Sequence, residues 1–142
     1  MIKLFLSYRF TGEEPNALRE VLNNIKKILM TGEDKVFCSF FLEKYFNEEK
    51  MDSDQIYDYC LKEQENCDCF IALIKSNDKS KGMELELDNA IKLGQKIILL
   101  IHEDLEFPKF GNISNEIIEY KSFPQLYEKL KTFNSPSFST PD

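Results

Sequence analysis

The sequence has no tryptophan, a single histidine (His102) and two arginines, Arg9 and Arg19, among 18 basic residues. No apolar run approaches the ~18 residues of a membrane span, so no membrane partner is expected. Met1 to Leu6 lacks the charged, apolar and small-residue sections of a signal peptide, and a cytoplasmic location is the expectation. Basic charge is scarce: 18 Lys and Arg against 25 Asp and Glu leave a formal charge of −7. That balance argues against a nucleic-acid polymer bound along its backbone, which needs a basic footprint. A small anion held by a few local cations stays open. The four cysteines, Cys38, Cys60, Cys67 and Cys69, include no second close pair and have one histidine for company, which excludes an ordinary zinc set. Reduced, partly buried thiols are expected, with no metal and no organic cofactor implied.

What is present describes one domain. The 142 residues are 42% apolar and 30% charged, the composition of a folded globular chain. Ile2–Leu6 reads as a first strand. Asn16–Met30 places Leu18, Val21, Leu22, Ile25, Ile28 and Leu29 at helical spacing, with Pro15 suited to its first turn and Gly32 to its exit. Val36–Phe41 reads as a second strand, and Leu42–Met51 as a loop with a short helix. Asp52 or Ser53 caps a helix carrying Ile56, Tyr57, Cys60 and Leu61. Cys69–Ile74 and Lys96–Ile101 are continuous apolar runs, as in central parallel strands covered on both faces. Between them a helix runs from Met83 to about Leu93, closed by Gly94. Glu116–Tyr120 suits an edge strand, and Ser122 caps a last helix, Phe123–Phe133.

Such alternation implies an α/β, flavodoxin-like (Rossmann-like) domain over residues 1–133. It predicts a parallel sheet of four to five strands in the order 2-1-3-4-5 with helices on both faces. Residues 134–142 are expected to form a disordered tail. Ligands of such sheets bind beyond the strand C-termini at the switch point between strands one and three. Two loops are thereby nominated, Ser7–Glu14 and Lys75–Glu86. The first offers Arg9 for two-point anion binding, the hydroxyls of Ser7 and Thr11, and Gly12 for a close backbone approach. The second carries Lys75, Lys79 and Lys81 beside a helix start.

Glu86 stands apart from its acidic neighbours. At about 100° per residue, Met83, Leu87, Ala90 and Ile91 define the buried stripe of its helix, and Glu86 falls at the edge of that stripe. A carboxylate tilted toward the core near the strand ends suits a nucleophile or general base. Glu84 and Asp88 are explained as partners of the helix dipole.

These residues resemble the nucleoside 2-deoxyribosyltransferase superfamily, in particular its small deoxynucleoside-monophosphate N-hydrolases, over roughly Ile2–Ile101. The resemblance is carried by the strand at Cys69–Ile74, by Ser80, Gly82 and Glu86 in a Ser-x-Gly-x-x-x-Glu pattern, and by Ala90, Gly94, Lys96 and Ile97. It implies that Glu86 is the nucleophile that captures the anomeric carbon of a nucleoside or nucleotide. It further implies that Ser7, Arg9, Gly12, Ser80 and Gly82 bind the substrate, that Tyr8 orients the carboxylate or stacks near the sugar, and that the protein is a homodimer. Where many members have Glu-Leu-Gly, this chain has Glu86-Leu87-Asp88, and the slot of a catalytic aspartate on the preceding helix holds Cys60, with Asp58, two residues earlier, as the candidate to replace it in catalysis. Two other readings exist. Phe5–Arg9 (FLSYR) is similar to the opening strand of Toll/interleukin-receptor-like domains, whose NAD-cleaving members would again use Glu86. A non-catalytic nucleotide-binding or interaction module would account for Cys60 and Asp88.

Overall fold

The computed structural model describes residues 2–9, 12–30, 34–76, 81–105 and 113–133. Its five strands are β1 (Lys3–Ser7), β2 (Lys35–Phe37), β3 (Cys69–Ile74), β4 (Lys96–His102) and β5 (Glu116–Tyr120). They form one sheet in the order β2-β1-β3-β4-β5, and every neighbouring pair is parallel. The expected flavodoxin-like α/β architecture is therefore the one observed. Tail 134–142 lies outside the described residues.

Among the described residues five helices cover the two faces: α1 (Pro15–Leu29), α2 (Glu43–Glu48), α3 (Ser53–Gln64), α4 (Lys81–Leu93) and α5 (Phe123–Thr132). Helix α1 buries Leu18, Val21, Leu22, Ile25 and Leu29, the stripe read from the sequence, and packs with α5 against Leu4, Leu6, Ile71, Leu73, Ile98 and Leu100. The opposite sheet face presents Phe5, Phe70, Ala72, Leu99 and Ile101 to α2, α3 and α4. Strand alternation thus assigns each residue to a layer. All six residues of β3 are buried, as a central parallel strand requires. Helix starts follow their capping chemistry. Glu14 accepts from the Asn16 and Ala17 amides at α1, Asp52 and Gln55 form a capping box at α3, and Ser122 accepts from Gln125 at α5. Among the described residues no helix is long and apolar enough to cross a membrane.

Two elements depart from expectation. Strand β2 ends at Phe37, and Ser39–Leu42 is a 3-10 turn instead of a continuing strand. The Phe41 amide donates to the Cys38 carbonyl, while the Phe40 ring meets Tyr8 edge-on at 5.8 Å. Phe40 is buried there among Tyr8 and the residues of α1, beyond the reach of the ladder, whereas Phe41 stays 36% exposed. On α4 the buried stripe is only Met83, Leu87 and Ala90, and Ile91 is 47% exposed. With 3.6 residues per turn, Glu86 and Ile91 lie about 70° to either side of that stripe. One edge faces the crevice and the other faces outward.

Candidate active site

The switch point between β1 and β3 is built from the last residue of β1. Ser7 pairs in register with Ala72 and shares the layer of Phe5, so its side chain points toward α4. It is 1% exposed, and its hydroxyl donates to Glu86 Oε1 at 2.6 Å. Burial pushes the Glu86 carboxyl up from 4.5 to about 7, against the opposing pull of the Ser7 hydrogen bond. A group with that pKa is divided between acid and carboxylate at neutral pH. One carboxylate oxygen is held by Ser7, which leaves the second for chemistry.

Tyr8 is half-buried beside this pair. Its hydroxyl accepts from Ser39 Oγ at 3.1 Å. Burial, with the nearby charge of Glu86 as a minor contribution, raises the phenol well above its usual range and keeps it protonated. Cys38 and Cys60 complete the surroundings. Both thiols are pushed up to about 12, chiefly by burial and secondarily under the field of Glu86. Cys60 is therefore a neutral thiol within reach of the carboxylate's charge. Asp58 is exposed on the same helix, about 200° of rotation away from Cys60. The structure brings Ser7 into contact with Glu86, places Tyr8 and Cys60 within reach of its charge, and leaves Asp58 exposed on α3.

Arg9 lies at the rim. Its Nη1 is 3.4 Å from Ser76 Oγ and 3.9 Å from Glu13 Oε1. Gly12 has φ +82°, a conformation that side chains with a Cβ resist, and a Cβ there would meet Arg9 Nη2 at 3.2 Å. The glycine thus lets the guanidinium lie against the loop. Lys75, just past β3, donates to Glu13 Oε2 at 2.9 Å. Of the lysine cluster expected in the second loop, Lys81 is exposed at the start of α4, and Lys79 lies outside the described residues. So does Ser80. Gly82 has a packing function in addition to any ligand role, because a Cβ there would meet the Tyr57 ring of α3 at 3.1 Å.

One part of the site was not anticipated from the sequence. Gln64, at the end of α3, is fully buried, and its Nε2 donates to the Glu86 backbone carbonyl at 2.7 Å. Asn89 donates to Gln64 Oε1 at 3.1 Å, and Gln95 Nε2 donates to the carbonyls of Gln64 and Cys67 at 2.6 and 2.8 Å. This amide cluster clamps α4 to α3 at the turn that presents Glu86. A signal was available: Gln64 follows the buried Cys60 by four residues, a polar residue on an apolar stripe. A separate cavity of about 500 Å³, lined by Lys75, His102, Tyr120 and Phe123 among others, does not include Glu86. Its strand residues belong to the α1–α5 layer or follow it, on the far side of β3 from Glu86.

Solved structures share this arrangement of elements. The CMP N-glycosidase BcmB of Clostridium botulinum superposes with a TM-score of 0.67 at 22% identity, covering 93% of this chain and 99% of that one. The 2-deoxyribosyltransferase of Bacillus psychrosaccharolyticus gives 0.66 at 14% identity, covering 97% and 96%. A conserved protein of Enterococcus faecalis gives 0.63 at 12% identity, covering 94% and 99%. The likeness is one of fold. It spans nearly the whole of each chain, beyond the Ile2–Ile101 stretch that carries the sequence resemblance. No protein-family model and no curated relative matches the sequence.

Proposed function

We propose that this chain is an enzyme that cleaves or transfers the N-glycosidic bond of a (deoxy)nucleoside or nucleoside 5′-monophosphate, with Glu86 as nucleophile. The observation that carries this reading is the Glu86 carboxyl itself. It sits at the switch point of a parallel sheet, held by a buried serine and poised near neutrality. The fold it shares with an N-glycosidase and a 2-deoxyribosyltransferase supports the same reading.

In this mechanism the free oxygen of Glu86 attacks the anomeric carbon as the carbon–nitrogen bond breaks, through an oxocarbenium-like transition state. The departing base takes the bonding electrons and a proton from water. The resulting glycosyl ester is opened by water, in hydrolysis, or by a second base, in transfer, and Glu86 is regenerated. Ser7 orients the carboxylate and Tyr8 supplies a protonated hydroxyl beside it. Arg9 receives a 5′-phosphate when the substrate carries one. Ser80 and Gly82 contact the substrate in the family pattern. Asp58 takes no part. The carboxylate must be ionised to attack, so kcat/KM should rise with pH through about 7. The reading includes a homodimer.

The test is incubation with deoxynucleosides, deoxynucleoside monophosphates and NAD in turn, followed by chromatography for free base or nicotinamide. Release of a nucleobase that disappears in Glu86→Gln supports the proposal. Nicotinamide release alone would point to the Toll/interleukin-receptor-like reading. Silence on all three would leave a binding module.

A further inference from the structure

Arg9 and Lys75 are two cations from different loops, and one carboxylate lies between them. Glu13 Oε1 is 3.9 Å from Arg9 Nη1, and Glu13 Oε2 is 2.9 Å from Lys75 Nζ. All three side chains are largely buried, with 15 to 20% of each exposed. Lys75 is further positioned by the Phe123 ring, 5.6 Å from its ammonium. The same Arg9 Nη1 donates to Ser76 Oγ at 3.4 Å. Such a group has the make-up of an occupied anion site: converging donors and a negative oxygen already in place. The occupant belongs to the chain. The adjoining N-terminus of α1 offers no alternative seat, because Glu14 already accepts from the Asn16 and Ala17 amides.

The arrival of a substrate phosphate changes the charge balance of this group. Taken by themselves, the side chains of Arg9, Lys75 and Glu13 sum to +1. Adding a phosphate dianion with Glu13 in place gives −1, whereas displacing Glu13 leaves the pair neutralised by the ligand. Glu13 sits one residue after Gly12, whose φ of +82° marks a sharp turn, on a segment where a side chain can swing outward by rotamer change.

We propose that Glu13 is a resident counter-ion at an Arg9–Lys75 anion site, displaced by the phosphate of a phosphorylated substrate, and that it sets the preference between phosphorylated and unphosphorylated forms. This rests on the reading of Arg9 given above and adds Lys75 as its partner and Glu13 as its competitor. An unphosphorylated nucleoside leaves the Glu13 contacts intact. A monophosphate must break them, so its affinity carries the cost of that exchange.

The experiment is a calorimetric titration of inorganic phosphate into the parent protein, Glu13→Gln, and Glu13→Gln combined with Lys75→Gln. Glu13→Ala serves as a second variant should the amide disturb the loop, and circular dichroism verifies the fold of each. Phosphate should bind Glu13→Gln at least tenfold more tightly than the parent, a change of about 1.4 kcal/mol. The added Lys75→Gln should erase that gain. Unchanged or weaker binding by both Glu13 variants overturns the proposal, because Glu13 would then be organising the cations and not competing for them. A gain that survives Lys75→Gln overturns the placement of the site. The titration involves no glycoside, so its outcome is independent of whether the protein cleaves one. Cleavage of nucleosides with unaltered phosphate affinity would sink the role of Glu13 alone.

Discussion

Replacing Glu86 with glutamine should make the protein more stable at alkaline pH while abolishing its activity. The folded chain holds this carboxyl at about 7, against 4.5 in the unfolded chain, and the cause is burial. The unfolded state therefore loses its proton first as pH rises. Between about 4.5 and 7 the folded state binds more protons, so stability falls with rising pH, and the full cost is present above about 7. At 1.36 kcal/mol for each tenfold change in the ionisation constant, that cost is about 3 kcal/mol. Glutamine has nearly the same volume and keeps an oxygen to accept from Ser7, but it never ionises. Its amide hydrogens must find partners, which offsets about 1 kcal/mol. A net stabilisation of about 2 kcal/mol is expected at pH 8 and a net destabilisation of about 1 kcal/mol at pH 4, where the parent carboxyl is also neutral and only the amide penalty remains. Urea unfolding at both pH values reads this directly. With a slope of about 2 kcal/mol/M, the midpoint should move up by about 1 M at pH 8 with the slope unchanged. A variant less stable than the parent at pH 8, or an effect independent of pH, would refute the argument that Glu86 is buried at a stability cost for the sake of chemistry. N-glycoside cleavage should fall by orders of magnitude in the same variant, while Glu84→Gln stays near the parent.

Arg9→Ala should raise the KM for nucleoside monophosphates by roughly 10- to 150-fold, the loss of one charge-assisted bond of about 1.5–3 kcal/mol, and leave nucleosides nearly unaffected; steady-state kinetics on both substrates decides it. Gly12→Ala, forced to positive φ, should cost about 1–2 kcal/mol in denaturant unfolding and weaken monophosphate binding through the displaced Arg9, whereas an unchanged midpoint would deny that the turn is constrained. Gln64→Leu leaves the Glu86 carbonyl without its buried side-chain donor and breaks the link to Asn89, so the unfolding free energy should drop by about 2–3 kcal/mol; equal stability would mean that the amide cluster clamps nothing. Light scattering on the purified chain should give twice the monomer mass, and a monomer would remove the homodimer from the functional reading.

Much of this protein is determined by its sequence alone. Continuous apolar runs at Cys69–Ile74 and Lys96–Ile101 can be satisfied only by burial on both faces, and their alternation with helical stripes leads to the parallel sheet and its order. Periodicity also isolates Glu86, because a carboxylate at the margin of an apolar stripe violates the local pattern and so shows itself. Other features have no local signature. Ser7 is an ordinary strand-end hydroxyl until the register of β1 with β3 aims it at α4. Glu13 and Lys75 are 62 residues apart and meet only because β1 and β3 are neighbours. Asp58 is eligible as an acid by its type and place in the chain, yet the rotation of α3 turns it outward and presents Cys60 in its place. Phe40 and Phe41 read as strand, yet the chain leaves the ladder there, and Phe40 is buried against Tyr8 and α1 while Phe41 stays 36% exposed. Chain pattern specifies which face of each element is buried, since that depends on spacing along one segment. The pairing of side chains across segments depends on register, helix rotation and the ends of strands, and those are decided only when the layers pack.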